Sequence, residues 1–221
     1  MRSTAVLLLV LAALAALAVQ RSGAARAATV FRMPVDDVGF PFWCDWSYDW
    51  EARCYRDFGP RLPVGGVDDK VWRAGLRFSL AGIPANGVIA SARLELTFDG
   101  VCVAPRLTTI DCPGDEFVVE AYPIASADWY HEREPEYSWT VEDEVLLDTG
   151  LAPQAIRWDL TALARKWLAG TLENNGVLLK LADGWEDFDV GGPYFPSMNA
   201  AEAGVRPRLV IRYSSPTGLA R

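Results

Sequence analysis

Apolar and polar residues alternate along residues 72–80, with Leu76, Phe78 and Leu80 on one side. They alternate again along residues 88–98, with Ala92, Leu94, Leu96 and Phe98 on one side. A period of two puts those residues on one face of an extended chain, so both stretches predict half-buried strands of an antiparallel sheet. The connection Ala81-Gly82-Ile83-Pro84-Ala85-Asn86-Gly87 is rich in turn residues and carries one buried isoleucine. Shorter runs at residues 29–33, 116–124 and 208–213 read as further strands, and residues 99–114 as a long hairpin insert. The period changes only once, in residues 156–181. There a short strand ends at Trp158, Asp159 or Thr161 is placed to cap a helix, and Leu160, Leu163, Trp167 and Leu168 fall roughly on one helical face. Gly170 stops the helix, the turn Glu173-Asn174-Asn175-Gly176 reverses the chain, and residues 177–181 form a buried strand. About eight to ten strands and one helix fit a single β-sandwich.

Composition adds export to this picture. The chain has 221 residues and is 51% hydrophobic, enough for one proper core. Arg2 precedes an unbroken apolar run from Ala5 to Val19, and Ala25-Arg26-Ala27 is an A-x-A site. Residues 1–27 are therefore expected to be a secretory signal, since the run is shorter than the roughly 20 residues that span a bilayer. Residues 28–213 form the module and 214–221 a frayed tail. Loss of the leader removes three arginines and no acids, which takes the net charge from −8 to −11. So acidic a surface disfavours nucleic acid as a partner. Cys44, Cys54, Cys102 and Cys112 form an even set in an exported chain and predict disulfides; Cys44 with Cys54 and Cys102 with Cys112 each close a short loop. With one histidine and no close C-x-x-C spacing, a cysteine zinc site is a poor fit.

Candidate chemistry gathers in the loops. Residues 40–58 hold Phe40, Phe42, Trp43, Trp46, Tyr48, Trp50, Tyr55 and Phe58 among Asp45, Asp49, Glu51 and Asp57. One reading is a platform on which Trp43, Trp46, Tyr48 and Trp50 stack against sugar rings while acids bond hydroxyls. The other is a disulfide-closed lid over one end of the sandwich. Residues 182–203 offer a second candidate surface with Trp185, Asp187, Asp189, Tyr194 and Phe195, for sugar or for calcium. Asp68 and Asp69 read as solvated turn residues or as ligands of a structural calcium, and no other cofactor is expected. His131 lies in the charged, aromatic excursion of residues 125–144 without a positioned companion, so a solvated role is expected for it. No G-x-S-x-G, H-E-x-x-H or phosphate-cradling glycine loop occurs, and no spacing selects two of the 29 acids as a glycoside-cleaving pair.

Three blocks together resemble the DNRLRE (disaggregatase-related repeat) domain, also classed as carbohydrate-binding module family 96. They are Val64-Gly65 with RAGLRFSLAGIPANGVIASARLEL from Arg73 to Leu96, then WDLTALARKWLAGTLENNGVLLK from Trp158 to Lys180, then RPRLVIRY from Arg206 to Tyr213. Trp129 and Trp139 sit where that family often has a tryptophan pair. The resemblance spans residues 60–213 and implies an all-β jelly-roll β-sandwich with one short α-helix, exported and non-catalytic. It implies core positions for Phe78, Leu94, Trp167 and Leu179, and it carries over no ligand residue. Ser79, the two cysteine pairs and the aromatic segment depart from the family pattern. The expected function is a secreted, non-catalytic carbohydrate-binding module, with a polysaccharide or cell-surface glycan as partner and Trp43, Trp46, Tyr48, Trp50 and Trp185 as stacking candidates. The alternatives are a structural or adhesive envelope protein and, more remotely, a small glycan-active enzyme.

Overall fold

In the computed structural model the described residues are 26–44, 59–67, 70–103, 109–111, 116–127, 135–186 and 191–215. They form an all-β sandwich with one α-helix, as the periodicity predicts. One sheet has the order β1-β14-β6-β11, from Arg26–Arg32, Arg208–Ser215, Val88–Phe98 and Gln154–Asp159. The facing sheet has the order β10-β9-β12-β5-β2, from Asp143–Asp148, Glu116–Pro123, Val177–Leu181, Lys70–Phe78 and Pro34–Cys44; β4, Gly65–Val67, also pairs β5. The pairings in both sheets are antiparallel. A small third sheet, β3-β13-β7-β8, joins Arg61–Pro63, Gly192–Pro196, Val101–Val103 and Thr109–Asp111.

The core lies between the two large sheets. Leu94, Leu96, Trp158 and Ile211 from the first sheet meet Leu76, Val119, Leu179 and Leu181 from the second, all at 1% exposure or less. Phe78, Leu94 and Leu179 are fully buried and Trp167 nearly so. Trp158 also bonds across the layers, its Nε1–H donating to the Val119 carbonyl at 2.9 Å. The helix α1, Thr161–Leu168, presses Leu163, Ala164 and Trp167 onto this core. Its capping differs in detail from the expectation. Leu160 holds the N-cap position without a side-chain bond, and Asp159 accepts instead from the Thr161 N–H at 2.9 Å. Gly170 ends the helix in the left-handed region, φ 68°.

Several boundaries move. β1 takes in Arg26 and Ala27, which pair with Ser215 and Ser214 of β14. Residues 34–44, read from sequence as the start of an aromatic loop, are instead an 11-residue strand laid along β5 with register shifts at Pro34/Asp36 and Pro41/Trp43. Its proline and glycine content hid it, because prolines are tolerated on an edge strand where one side donates to no neighbour. Residues 192–196, read as irregular, form β13, whose Phe195 packs edge-on against Phe98 and Trp158 at 6.2 and 6.1 Å. The hairpin insert is present as β7 paired with β8.

Candidate functional site

Alternation along the second sheet gives it two unlike faces. Ala74, Leu76 and Phe78 of β5 enter the main core, while Arg73 and Arg77 belong to the other face. On β12, Val177, Leu179 and Leu181 are core, leaving Leu178 and Lys180 outside; on β9, Val119 and Ala121 are core, leaving Glu120 and Tyr122 outside. A second, smaller apolar cluster of Val38, Tyr122, Ile124 and Leu178 covers part of this outer face, with Tyr137 packed against it.

The charges beside that cluster are knotted together. The Arg73 guanidinium grips the Glu186 carboxylate at 2.8 and 2.7 Å, with side-chain exposures of only 3% and 8%. The Lys180 ammonium lies 2.6 Å from Asp183, 3.5 Å from Glu120 and 3.8 Å from Glu186. Tyr122 donates its hydroxyl to Glu120 at 2.7 Å, and burial followed by that bond pushes the phenol above its usual range. Hydrogen bonding to Lys180 holds the Asp183 carboxyl below the carboxylate range. Two cations and three carboxylates thus occupy one another, and the network pins the turn at residues 182–186 onto the sheet. Its chemistry is structural clamping: each of the three carboxylates is tied to a cation.

The open surface lies just beyond. Arg73 sits 5.3 Å from the centre of the Tyr137 ring, and Tyr137 packs edge-on against Tyr122 at 5.3 Å. Trp139 leans on Tyr137 at 5.4 Å and 45°, yet is 86% exposed, the most exposed large apolar side chain among the described residues. Its neighbours Ser138 and Thr140 line a groove of about 260 Å³ that also meets Glu142, Lys166, Thr171 and Leu172. The backbone here is held from both sides: Ser138 N–H donates to the Pro123 carbonyl at 2.9 Å and Glu142 N–H to the Ala121 carbonyl at 2.9 Å. Glu142 pairs with Lys166 of α1 at 3.2 Å. The groove therefore joins the outer face of one sheet to the end of the helix, with hydroxyl, carboxylate and ammonium groups in its wall; Trp139 lies between two of its lining residues and is not itself among them.

Of the sequence-predicted stacking residues, Trp185 is 38% exposed and rests edge-on against Phe117 at 6.1 Å. It lies in the pinned turn rather than in the lining of the groove beside Trp139. Trp46, Tyr48 and Trp50 lie outside the described residues, as does the Trp43 side chain. Trp139, in contrast, was legible only through the resemblance, because a single tryptophan in a polar stretch has no periodic signature. Cys102 is buried and disulfide-bonded, with its partner outside the described side chains, as are Cys44, Cys54 and Cys112; neither pairing is fixed by the described geometry. Asp68, Asp69, His131, Asp187 and Asp189 also lie outside the described residues. Among those described, no group of three His, Cys, Asp or Glu side chains could hold a metal ion, and no helix is long and apolar enough to cross a membrane. Neither a protein-family model nor a curated protein matches the chain.

Proposed function

We propose that this chain is an exported, non-catalytic carbohydrate-binding module of the DNRLRE kind, and that Trp139 with its adjoining groove is a binding surface for a polysaccharide. The observation that carries the reading is Trp139 itself: 86% exposed, held in place by Tyr137, and flanked by two residues that line the groove. Leaving an indole in water forgoes burial, and sugars present C–H faces that fit such a plate while their hydroxyls need the polar groups beside it. The resemblance over residues 60–213 supports the same assignment, and the sandwich architecture agrees with it. Trp185 and the aromatic residues Trp43, Trp46, Tyr48 and Trp50 stand as further stacking candidates. A structural calcium, with Asp68 and Asp69 or, separately, Asp187 and Asp189 as candidate ligands, stays part of the proposal.

The test is affinity electrophoresis of the purified protein through gels containing soluble polysaccharides. Retardation by at least one glycan is expected, and Trp139→Ala should weaken it tenfold or more, about 1.4 kcal/mol. Because Trp139 is so exposed, its removal should leave thermal stability almost unchanged. Migration indifferent to every glycan would refute the reading and favour the structural or adhesive alternative.

A further inference from the structure

The outer face of the first sheet is opposite in charge to the chain that carries it. Leu94, Ile211 and Trp158 point into the core, so their strand neighbours Arg93, Arg212 and Arg157 point away from it, and Arg208 with them. Glu95 and Asp159 are the acids on the same face. Four arginines thus meet two carboxylates on a chain of net charge −8. Glu95 is spent on Arg157 at 3.0 Å and on Arg208 at 2.8 Å. Asp159 stands opposite Arg93 in register but bonds the Thr161 N–H through Oδ1. Arg93 and Arg212 are exposed and make no hydrogen bond or ion pair among the described residues.

An apolar side chain stands among these cations. Phe31 of β1 is 62% exposed and lies opposite Val210, whose other register partner is Arg93; Arg208 and Arg212 flank Val210 along β14. With strands about 4.8 Å apart and same-face residues about 6.8 Å apart along a strand, the Cα atoms of Arg93, Arg208 and Arg212 all fall within about 10 Å of that of Phe31. The Arg208 guanidinium rides 5.8 Å from the centre of the Phe31 ring, so cation and ring stand together at the surface. An exposed ring circled by guanidinium groups, two of them unmatched, suits an interface that supplies anions at one level and hydrocarbon just beneath. An anionic bilayer does both: arginines reach its phosphates while the aromatic ring settles at the acyl boundary. An acidic protein would match the charge but would need a separate pocket for the ring.

We propose that this face docks on an anionic lipid bilayer, with Phe31 at the acyl boundary and Arg93, Arg208 and Arg212 on lipid phosphates. Trp139 reaches the other side of the sandwich through Tyr137 and Tyr122, so the docked protein keeps the aromatic surface of the second sheet turned away from the bilayer. Co-sedimentation of the exported protein, free of its leader, with vesicles of phosphatidylcholine alone and of an equal mixture with phosphatidylglycerol tests the proposal. Because an acidic chain is repelled by anionic vesicles as a whole, stronger partition onto the mixed vesicles reports a local basic face. At least a tenfold preference for them is expected, and raising the salt to about 1 M, where the screening length is about 3 Å, should abolish it. The double variant Arg93→Gln/Arg212→Gln should lose about thirtyfold on mixed vesicles and nothing on neutral ones. Its thermal melt should match that of the unmodified protein, which separates lost docking from lost folding. Phe31→Ser should weaken partition onto mixed vesicles several-fold. Equal partition onto both kinds of vesicle, or anionic binding that the double variant keeps, would overturn the proposal. Binding to neither kind would overturn it as well and leave the face to an acidic protein partner.

Discussion

Asp37 is a carboxylate in an expensive place. It is 4% exposed on β2, and burial, with a smaller push from neighbouring Asp36, raises its carboxyl from the ordinary 3.8 to about 6 despite a bond from the Met198 N–H. The folded protein therefore holds the Asp37 proton more tightly than the unfolded chain does. Its contribution is full below pH 4 and is lost as pH rises through 6, by up to about 3 kcal/mol at 1.36 kcal/mol per unit. Asp37→Asn keeps a carbonyl for Met198 and removes the ionisation. It should raise the unfolding free energy from urea titration at pH 8 by about 1–2 kcal/mol after the cost of a new amide, and at pH 4, where that cost alone remains, lower it by about 1–2 kcal/mol. Equal effects at both pH values would show that the charge is not the cause. The Arg73–Glu186 pair obeys a different rule. Removing Arg73 leaves the nearly dry Glu186 with Lys180, 3.8 Å away, in place of its bidentate partner, so Arg73→Met should cost about 3 kcal/mol, while adding Glu186→Leu to that substitution should recover most of the loss. Chemical denaturation of the four proteins of that cycle measures the difference.

At the scale of elements, two features depend on particular backbone positions. The helix α1 begins without a side-chain cap at Leu160, and Asp159 compensates by accepting from Thr161. Asp159→Ala should cost about 0.5–2 kcal/mol, whereas Trp167→Ala, which empties a core position, should cost about 3–5. Thermal melts that rank the two the other way would mean the helix is held by its cap rather than its packing. The second feature is the approach of Val64-Gly65 to Gly191-Gly192, where Val64 N–H donates to the Pro193 carbonyl and Gly66 N–H to the Gly191 carbonyl, each at 3.1 Å. Gly65 has φ 124°, and a Cβ there would run into the Gly191 carbonyl oxygen. Gly65→Ala should therefore cost at least the roughly 1–3 kcal/mol of a strained backbone. It would separate β3 and β4 from the start of β13, which differential hydrogen exchange at Gly66 and Val64 would register. Val64-Gly65 was visible in the sequence as a motif; the glycine pair it meets, far along the chain, was not.

For the molecule as a whole, ligand binding and stability are linked. A glycan present at about a hundred times its dissociation constant should stabilise the fold by about 2.7 kcal/mol and raise the melting temperature accordingly, and the same addition should stabilise a tenfold weaker Trp139→Ala by only about 1.4 kcal/mol. A rise undiminished in the variant would place binding elsewhere, on Trp185 or the aromatic segment of residues 40–58. The sequence by itself determined what depends on local period and local turn chemistry. The strands at residues 88–98 and 177–181, the helix facing the core with Trp167, and its stop at Gly170 all declare themselves within a few residues. It missed β2 and β13, whose proline, glycine and aromatic content has no period and whose partners, β5 for one and β3 and β7 for the other, lie far along the chain. Only the tertiary structure decided which polar residues share a surface. Arg73, Glu120, Lys180 and Glu186 come from three strands and a turn, and their charges close on one another only when those strands lie side by side. Glu142 and Lys166 likewise meet across 24 residues of sequence, one before β10 and one on α1. Periodicity records which side of its own strand a residue occupies; it carries no information about the neighbour that pairing brings opposite, and that neighbour brings Ser138 and Thr140, on either side of the exposed Trp139, into one groove wall with Lys166.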